Sequence, residues 1–138
     1  MEKAKSSKLS FDGFKINRSL INLKGEIGTD MNMEFDASGE INRSNQSFRL
    51  DLNIHIKDNS EALNIEIDTS ANYKLDEGDI DDPAFSNYLY LNAPAILFPY
   101  IRAYITSLTA LSGIEPITIP IVNLAGLRKS LEEHTQII

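Results

Sequence analysis

Residues 91–108 read Leu91-Asn92-Ala93-Pro94-Ala95-Ile96-Leu97-Phe98-Pro99-Tyr100-Ile101-Arg102-Ala103-Tyr104-Ile105-Thr106-Ser107-Leu108. The stretch is too apolar for a helix with one face in water. Ile101, Ile105, Leu108 and Leu111 recur at helical spacing, with Tyr100, Ala103 and Tyr104 close by, so little of the circumference is polar. A helix that is apolar nearly all round, inside a small domain, has to be covered on two sides. One cover is the chain's own sheet, and the other is expected to be another subunit. Proline lacks the N–H that an inner helical turn requires. Pro99 therefore predicts a kink or a late start in a principal helix running from Pro94 to Leu111, after a short amphipathic turn with Phe85, Tyr88 and Leu89.

Upstream of the helix the period is two. In residues 47–57, Phe48, Leu50, Leu52, Ile54 and Ile56 fall on one face, opposite Arg49, Asp51, Asn53, His55 and Lys57. That is a half-buried antiparallel strand. After the turn at Asp58-Asn59-Ser60, Leu63, Ile65 and Ile67 begin a second run that continues through Ala71, Tyr73 and Leu75. Met31, Met33 and Phe35 alternate in an earlier strand, followed by a loop expected around Ser38-Gly39 and Asn42 to Asn45. In the first strand, Leu9 to Leu23, Phe14 and Ile16 share one phase while Ile21 and Leu23 take the other, which predicts a bulge or a strand that covers apolar surface on both sides. Beyond the long helix, Gly113 is the expected C-cap. Ile114 to Leu124 is a Pro-punctuated extended connector, and Ala125 to Gln136 is a second, charged helix with Leu127 and Leu131 on one face. Four strands and then two helices make an α+β fold, a four-stranded antiparallel sheet with both helices on one face.

The chain of 138 residues is read as one domain, with residues 1–8 as a disordered tail. Its 42% hydrophobic and 24% charged content is that of a globular protein. With no cysteine there is no disulfide, thiolate nucleophile or cysteine metal site. A formal charge of −7 argues against a nucleic-acid partner, which needs a basic footprint. The N-terminal lysines are not followed by an apolar run, and no stretch reaches the roughly 18 apolar residues of a membrane span. A cytoplasmic protein, with no membrane insertion, is expected. His55 and His134 have no partners at ligand spacing, and no phosphate loop or nucleophile elbow is present. The acidic run Asp76, Glu77, Asp79, Asp81 and Asp82 lacks the alternation and distal Glu of a calcium loop and reads as solvated. Neither a cofactor nor an enzymatic activity is expected.

Ile96, Leu97, Phe98, Pro99, Tyr100, Arg102, Ile105 and Thr106, continued by Gly113, Pro116, Pro120, Asn123 and Leu124, form a pattern that resembles the SecB family of export chaperones. In that family an I-L-F-P-Y-x-R-x-x-I-[ST] core leads into a Gly and then a P-x-x-x-P-x-x-N-hydrophobic connector. The resemblance implies an ATP-independent holdase for unfolded or nascent polypeptide, assembled as a dimer of dimers with its long helices between paired sheets. It places Tyr100, Ile101, Tyr104, Ile105 and Leu108 at the oligomer interface. Phe85, Tyr88, Tyr90, Ile117, Ile119, Ile121, Leu124 and Leu127 would flank the client groove, where apolar contact is non-directional and accepts many sequences. Two departures qualify the export role. Only Lys24 to Thr29 separates the first two strands, where family members have a long crossover. The SecA motor docks its basic tail on acidic first-strand positions in the family, and the nearest residues here are Leu20 and Lys24, which should weaken that recognition. The alternative is a dedicated SecB-like module that protects one partner, such as an antitoxin, without SecA delivery.

Overall fold

The strict alternation of residues 47–58 becomes the centre of the sheet. The computed structural model describes residues 9–120 and 124–138, with Leu124 and Ala125 described by their backbone alone. Four antiparallel strands follow in chain order: β1 (Leu9–Leu23), β2 (Met31–Asn42), β3 (Ser47–Asp58) and β4 (Leu63–Leu75). They are arranged β1-β4-β3-β2. On β3 the side chains of Phe48, Leu50, Leu52, Ile54 and Ile56 are all buried, and their register partners on β4 include Tyr73, Ala71, Ile67 and Ile65. The bulge expected in β1 is present twice, between Phe11 and Phe14 and between Ile16 and Arg18, with Gly13 in the left-handed region at φ 101°. This is why Phe14 and Ile21 both reach the core side despite their opposed phases.

The sheet differs from the expected four strands by a fifth. The second helix, α2 (Leu124–Glu133), ends three residues before the expected Gln136. Residues Thr135–Ile137 form β5, which pairs in parallel with Gly39, Glu40 and Ile41 of β2. A three-residue strand is below what alternation can reveal. β2 likewise runs straight through Ser38-Gly39, where a loop was expected. Gly39 serves packing rather than a turn, since a Cβ there would lie 2.6 Å from the Phe48 ring.

The long helix is one element, α1 (Pro83–Leu111), with both Pro94 and Pro99 inside it. The expected late start at Pro94 does not occur. Its true start is Asp82, whose carboxylate accepts from the Ala84 N–H at 3.0 Å just ahead of Pro83. An interior proline costs about 3 kcal/mol. Here the buried apolar side chains of the helix, among them Leu97, Ile101 and Ile105, offset it. The Tyr73 hydroxyl also donates to the Ala93 carbonyl at 2.5 Å, next to the first proline. Gly113 follows at φ 82°, the left-handed residue that ends the helix. α1 covers the apolar face of the sheet, and α2 lies against α1 and β2, anchored by the fully buried Leu131.

Candidate polypeptide-binding groove

Residues 114–120 follow α1 without regular secondary structure. Pro116 and Pro120 have no N–H to give a sheet, so the segment has to be held by side chains. Two threonines of α1 do this. The Thr109 hydroxyl accepts the Ile117 N–H at 2.9 Å, and the Thr106 hydroxyl donates to the Ile117 carbonyl at 2.9 Å. Both polar groups of one peptide residue are thereby satisfied on the flank of a helix. Thr109 is completely buried, and its own proton lies between the carbonyls of Ile105 and Thr106, at 2.8 and 3.1 Å. The clamp turns Ile117 and Ile119 inward, and it leaves Pro116 and Pro120 exposed with Ile114 half-buried.

Opposite this connector lies the short link between β1 and β2. The carboxylate of Asp58, at the end of β3, ties it down. Oδ2 of Asp58 accepts the Gly28 N–H at 2.7 Å and the Ser60 hydroxyl at 2.5 Å, while Oδ1 accepts the Leu63 N–H at 2.9 Å. These bonds, the Gly28 amide first, hold the carboxyl group far below its usual range. Gly28 lets the link approach closely: a Cβ there would displace the Asn59 side chain, whose Oδ1 would lie 1.9 Å away, and would press on the Ser60 nitrogen at 3.2 Å.

Between connector and link is a groove of about 930 Å³, lined by the apolar Ile27, Met31, Met33 and Ile114 and by the carboxylates of Asp30 and Glu115 among others. One of its walls is the edge of β2. Gly39 donates its N–H outward to the His134 carbonyl, and the Ile41 carbonyl accepts outward from Ile138. By the alternation of an antiparallel ladder, Met31, Met33, Phe35 and Ala37 direct their backbone groups the same way. From Met31 to Ser38 that edge has no strand partner among the described residues. The groove therefore offers apolar side chains, including two flexible methionines, beside unpaired backbone donors and acceptors.

The residues expected to line the groove are split by this geometry. Tyr88 is exposed and Leu127 half-buried, so both present surface. Phe85, Tyr90, Ile117 and Ile119 point into the chain's own core; helical spacing and a proline-rich segment do not reveal which apolar residues turn inward. Ile121 and the side chain of Leu124 lie outside the described residues. Of the residues expected between subunits, Ile101 and Ile105 are fully buried within this chain, Tyr104 and Leu108 are half-buried, and Tyr100 is exposed. Tyr100 rests on Phe11 and Phe14, each with its ring centroid 5.3 Å away. Ile114 belongs to the connector expected to flank the groove, whereas Ile27, Met31 and Met33 were not foreseen as lining. Their only signal was Met31-x-Met33 on a strand, and that becomes informative once the strand is known to be near an edge.

The histidines sit apart from the groove. His55 Nε2 faces Asn64 Oδ1 at 2.5 Å on the polar face of the sheet, and His134 Nδ1 faces the Ser130 carbonyl at 2.7 Å. In the acidic run Asp79 is buried rather than solvated and accepts the Asp76 N–H at 2.9 Å. No group of three or more acidic or histidine side chains fit to hold a metal occurs among the described residues, and no described helix is long and apolar enough to cross a membrane.

An antiparallel sheet under a long double-proline helix, with a clamped connector beside it, agrees with what sequence comparison finds. The family profile for the preprotein translocase subunit SecB matches residues 7–134. The chain belongs to the SecB family. Among solved structures, a Mycobacterium tuberculosis SecB-like chaperone in complex with a ChAD peptide from the HigA1 antitoxin superposes with a TM-score of 0.70 at 16% identity, covering 84% of this chain and 88% of that one. A protein of unknown function from Streptococcus agalactiae gives a TM-score of 0.47 at 12% identity over 85% of this chain and all of that one. An uncharacterized protein of Methanocaldococcus jannaschii is 46% identical over 43 residues, which is 31% of this chain and 28% of that protein's length. The α+β, SecB-like expectation is thus met, with the fifth strand as its amendment.

Proposed function

We propose that this SecB-family chain is an ATP-independent holdase that keeps unfolded or nascent polypeptide in an extended form. The observation that carries this reading is the groove of about 930 Å³ between the connector and the edge of β2, which from Met31 to Ser38 has no strand partner among the described residues. Unpaired backbone groups bind any extended chain, and the flanking Ile27, Met31, Met33 and Ile114 add contact that does not depend on sequence. A holdase needs breadth of this kind. No chemistry on the client is required.

A second reading, a dedicated module for one partner, is supported by two observations. The solved SecB-like relative was captured with a segment of an antitoxin. The link between β1 and β2 is short and pinned by Asp58, which favours a fixed groove over an adaptable one. α1 bears Tyr88, Leu91 and Leu111 as exposed large side chains away from the sheet, and a second copy is the natural cover for them. Docking of the SecA tail would have to proceed without acidic residues at Leu20 and Lys24. A cytoplasmic location follows from work on nascent chains.

The test is refolding of a chemically denatured, aggregation-prone client with increasing amounts of this protein and no nucleotide. Stoichiometric suppression of aggregation supports the general holdase. No effect from a folded sample retires it and leaves the single-partner module.

A further inference from the structure

Two halves of one strand edge are treated differently. At Gly39 and Ile41 the outward groups of β2 are taken by β5 and the residues flanking it, through Gly39 N–H to the His134 carbonyl at 3.2 Å and Ile138 N–H to the Ile41 carbonyl at 2.9 Å. Towards the groove, from Met31 to Ala37, the same edge is unpaired among the described residues. We propose that β5 is a displaceable strap lying on the far part of the polypeptide site, removed by a long extended segment and left in place by a short one. This rests on the client-binding reading above and specifies how much of the edge a client uses.

Three features make β5 the removable element. It pairs over three residues and in parallel, whereas β2 and β3 pair over twelve in antiparallel register. Its departure uncovers little apolar surface, since Ile137 and Ile138 are already 51% and 57% exposed. Its departure breaks the Thr135–Tyr90 hydrogen bond and frees the Arg43 N–H from the Ile138 carbonyl, but α2 stays seated, because Leu131, its buried anchor, precedes the His134-Thr135 junction. An extended chain seated on the outward groups of Met31, Met33, Phe35 and Ala37 meets β5 at Gly39. Any further pairing then exchanges the three rungs of β5 for those of the client. Short segments bind beside the strap, and long ones bind through it.

The chain has no cysteine, so β5 can be locked reversibly. Glu40 and Gln136 are register partners, and neighbouring strands bring Cα atoms within disulfide range. The variant Glu40→Cys with Gln136→Cys is titrated, oxidised and then reduced, against fluorescent peptides of seven and fourteen residues with alternating Val and Lys. Expected for the reduced form is about tenfold tighter binding of the longer peptide, and for the oxidised form no such gain. The seven-residue peptide should bind both forms equally. Removing residues 135–138 should give the gain without reductant. An equal length dependence in the oxidised and reduced forms overturns the strap. If neither peptide binds any form of the folded protein, the client-binding reading falls with it, a result distinct from binding that ignores the lock.

Discussion

Replacing Thr109 by Val tests whether two hydroxyls hold the groove wall in place. Valine has the same shape, so no cavity opens and the change is confined to one hydroxyl. That hydroxyl is fully buried and is the acceptor for the Ile117 N–H at 2.9 Å. Ile117 is itself buried, so water cannot take its place. Leaving a buried amide unsatisfied costs about 1–3 kcal/mol. The carbonyls of Ile105 and Thr106 also lose a donor, but in an α-helix each already accepts the amide four residues on, so little is added. Thr106→Val removes the donor to the Ile117 carbonyl, half-exposed at the helix flank, and should cost about 0.5–1.5 kcal/mol. Once one bond is gone the segment is free to shift, so the double variant should lose less than the sum of the two. Urea unfolding followed by circular dichroism gives the three values. For a domain of this size a loss of about 2 kcal/mol lowers Tm by roughly 6–8 °C. Client affinity should fall at temperatures well below unfolding, because the connector forms one wall of the groove. A Thr109→Val protein with unchanged stability would refute the reasoning, since it would mean that the Ile117 amide is satisfied in some other way.

Three further outcomes follow from the same structure. Asp58 has a folded pKa far below its unfolded value, so its contribution is complete above about pH 4 and is lost as pH falls towards the folded value; Asp58→Asn should lower the urea midpoint at pH 7 and flatten its fall between pH 4 and pH 2, and an unchanged pH profile would remove Asp58 from the account. Ile119→Asp places a charge at a fully buried site and should unfold the chain, at a cost of several kcal/mol, whereas Met33→Asp on the half-buried groove wall should keep the circular dichroism spectrum and abolish client binding; the reverse pattern would mean that core and groove have been exchanged. Ala103→Asp on the exposed outer face of α1 should reduce the mass measured by light scattering to that of a smaller assembly, and an unchanged mass would show that this face is not an interface.

The strands were legible because the physics behind them is local. Phe48 to Ile56 alternate without exception, and each apolar residue of that run faces α1 or its surroundings. The phase slip in β1 announced its bulges for the same reason, since an extra residue has to invert the pattern. Pro99 misled in one respect. A proline forbids one hydrogen bond, but whether a helix survives depends on what its other residues bury, and that is a sum over the sheet beneath. The groove was the least legible part. Ile117, Ile119 and Ile114 look alike in sequence, yet the Thr106–Thr109 clamp turns the first two inward and leaves the third at the rim. Gly39 and Thr135 meet only in space, so β5 had no signal at all.

The strand order β1-β4-β3-β2 has a consequence for how the chain is made. β2, β3 and β4 form a meander whose pairings are each closed by a short turn, and such local contacts form early. β1 pairs with none of its neighbours in sequence: Leu23 waits for Leu63, and Leu9 for Leu75. Of the four antiparallel strands, the first to be synthesised is thus the last to find its partner. Until it does, Phe11, Phe14 and Ile16 stand uncovered beside the open edge of β4. The growing chain passes through an interval in which it presents the kind of surface that holdases bind, and the speed of that final closure sets its own exposure to aggregation.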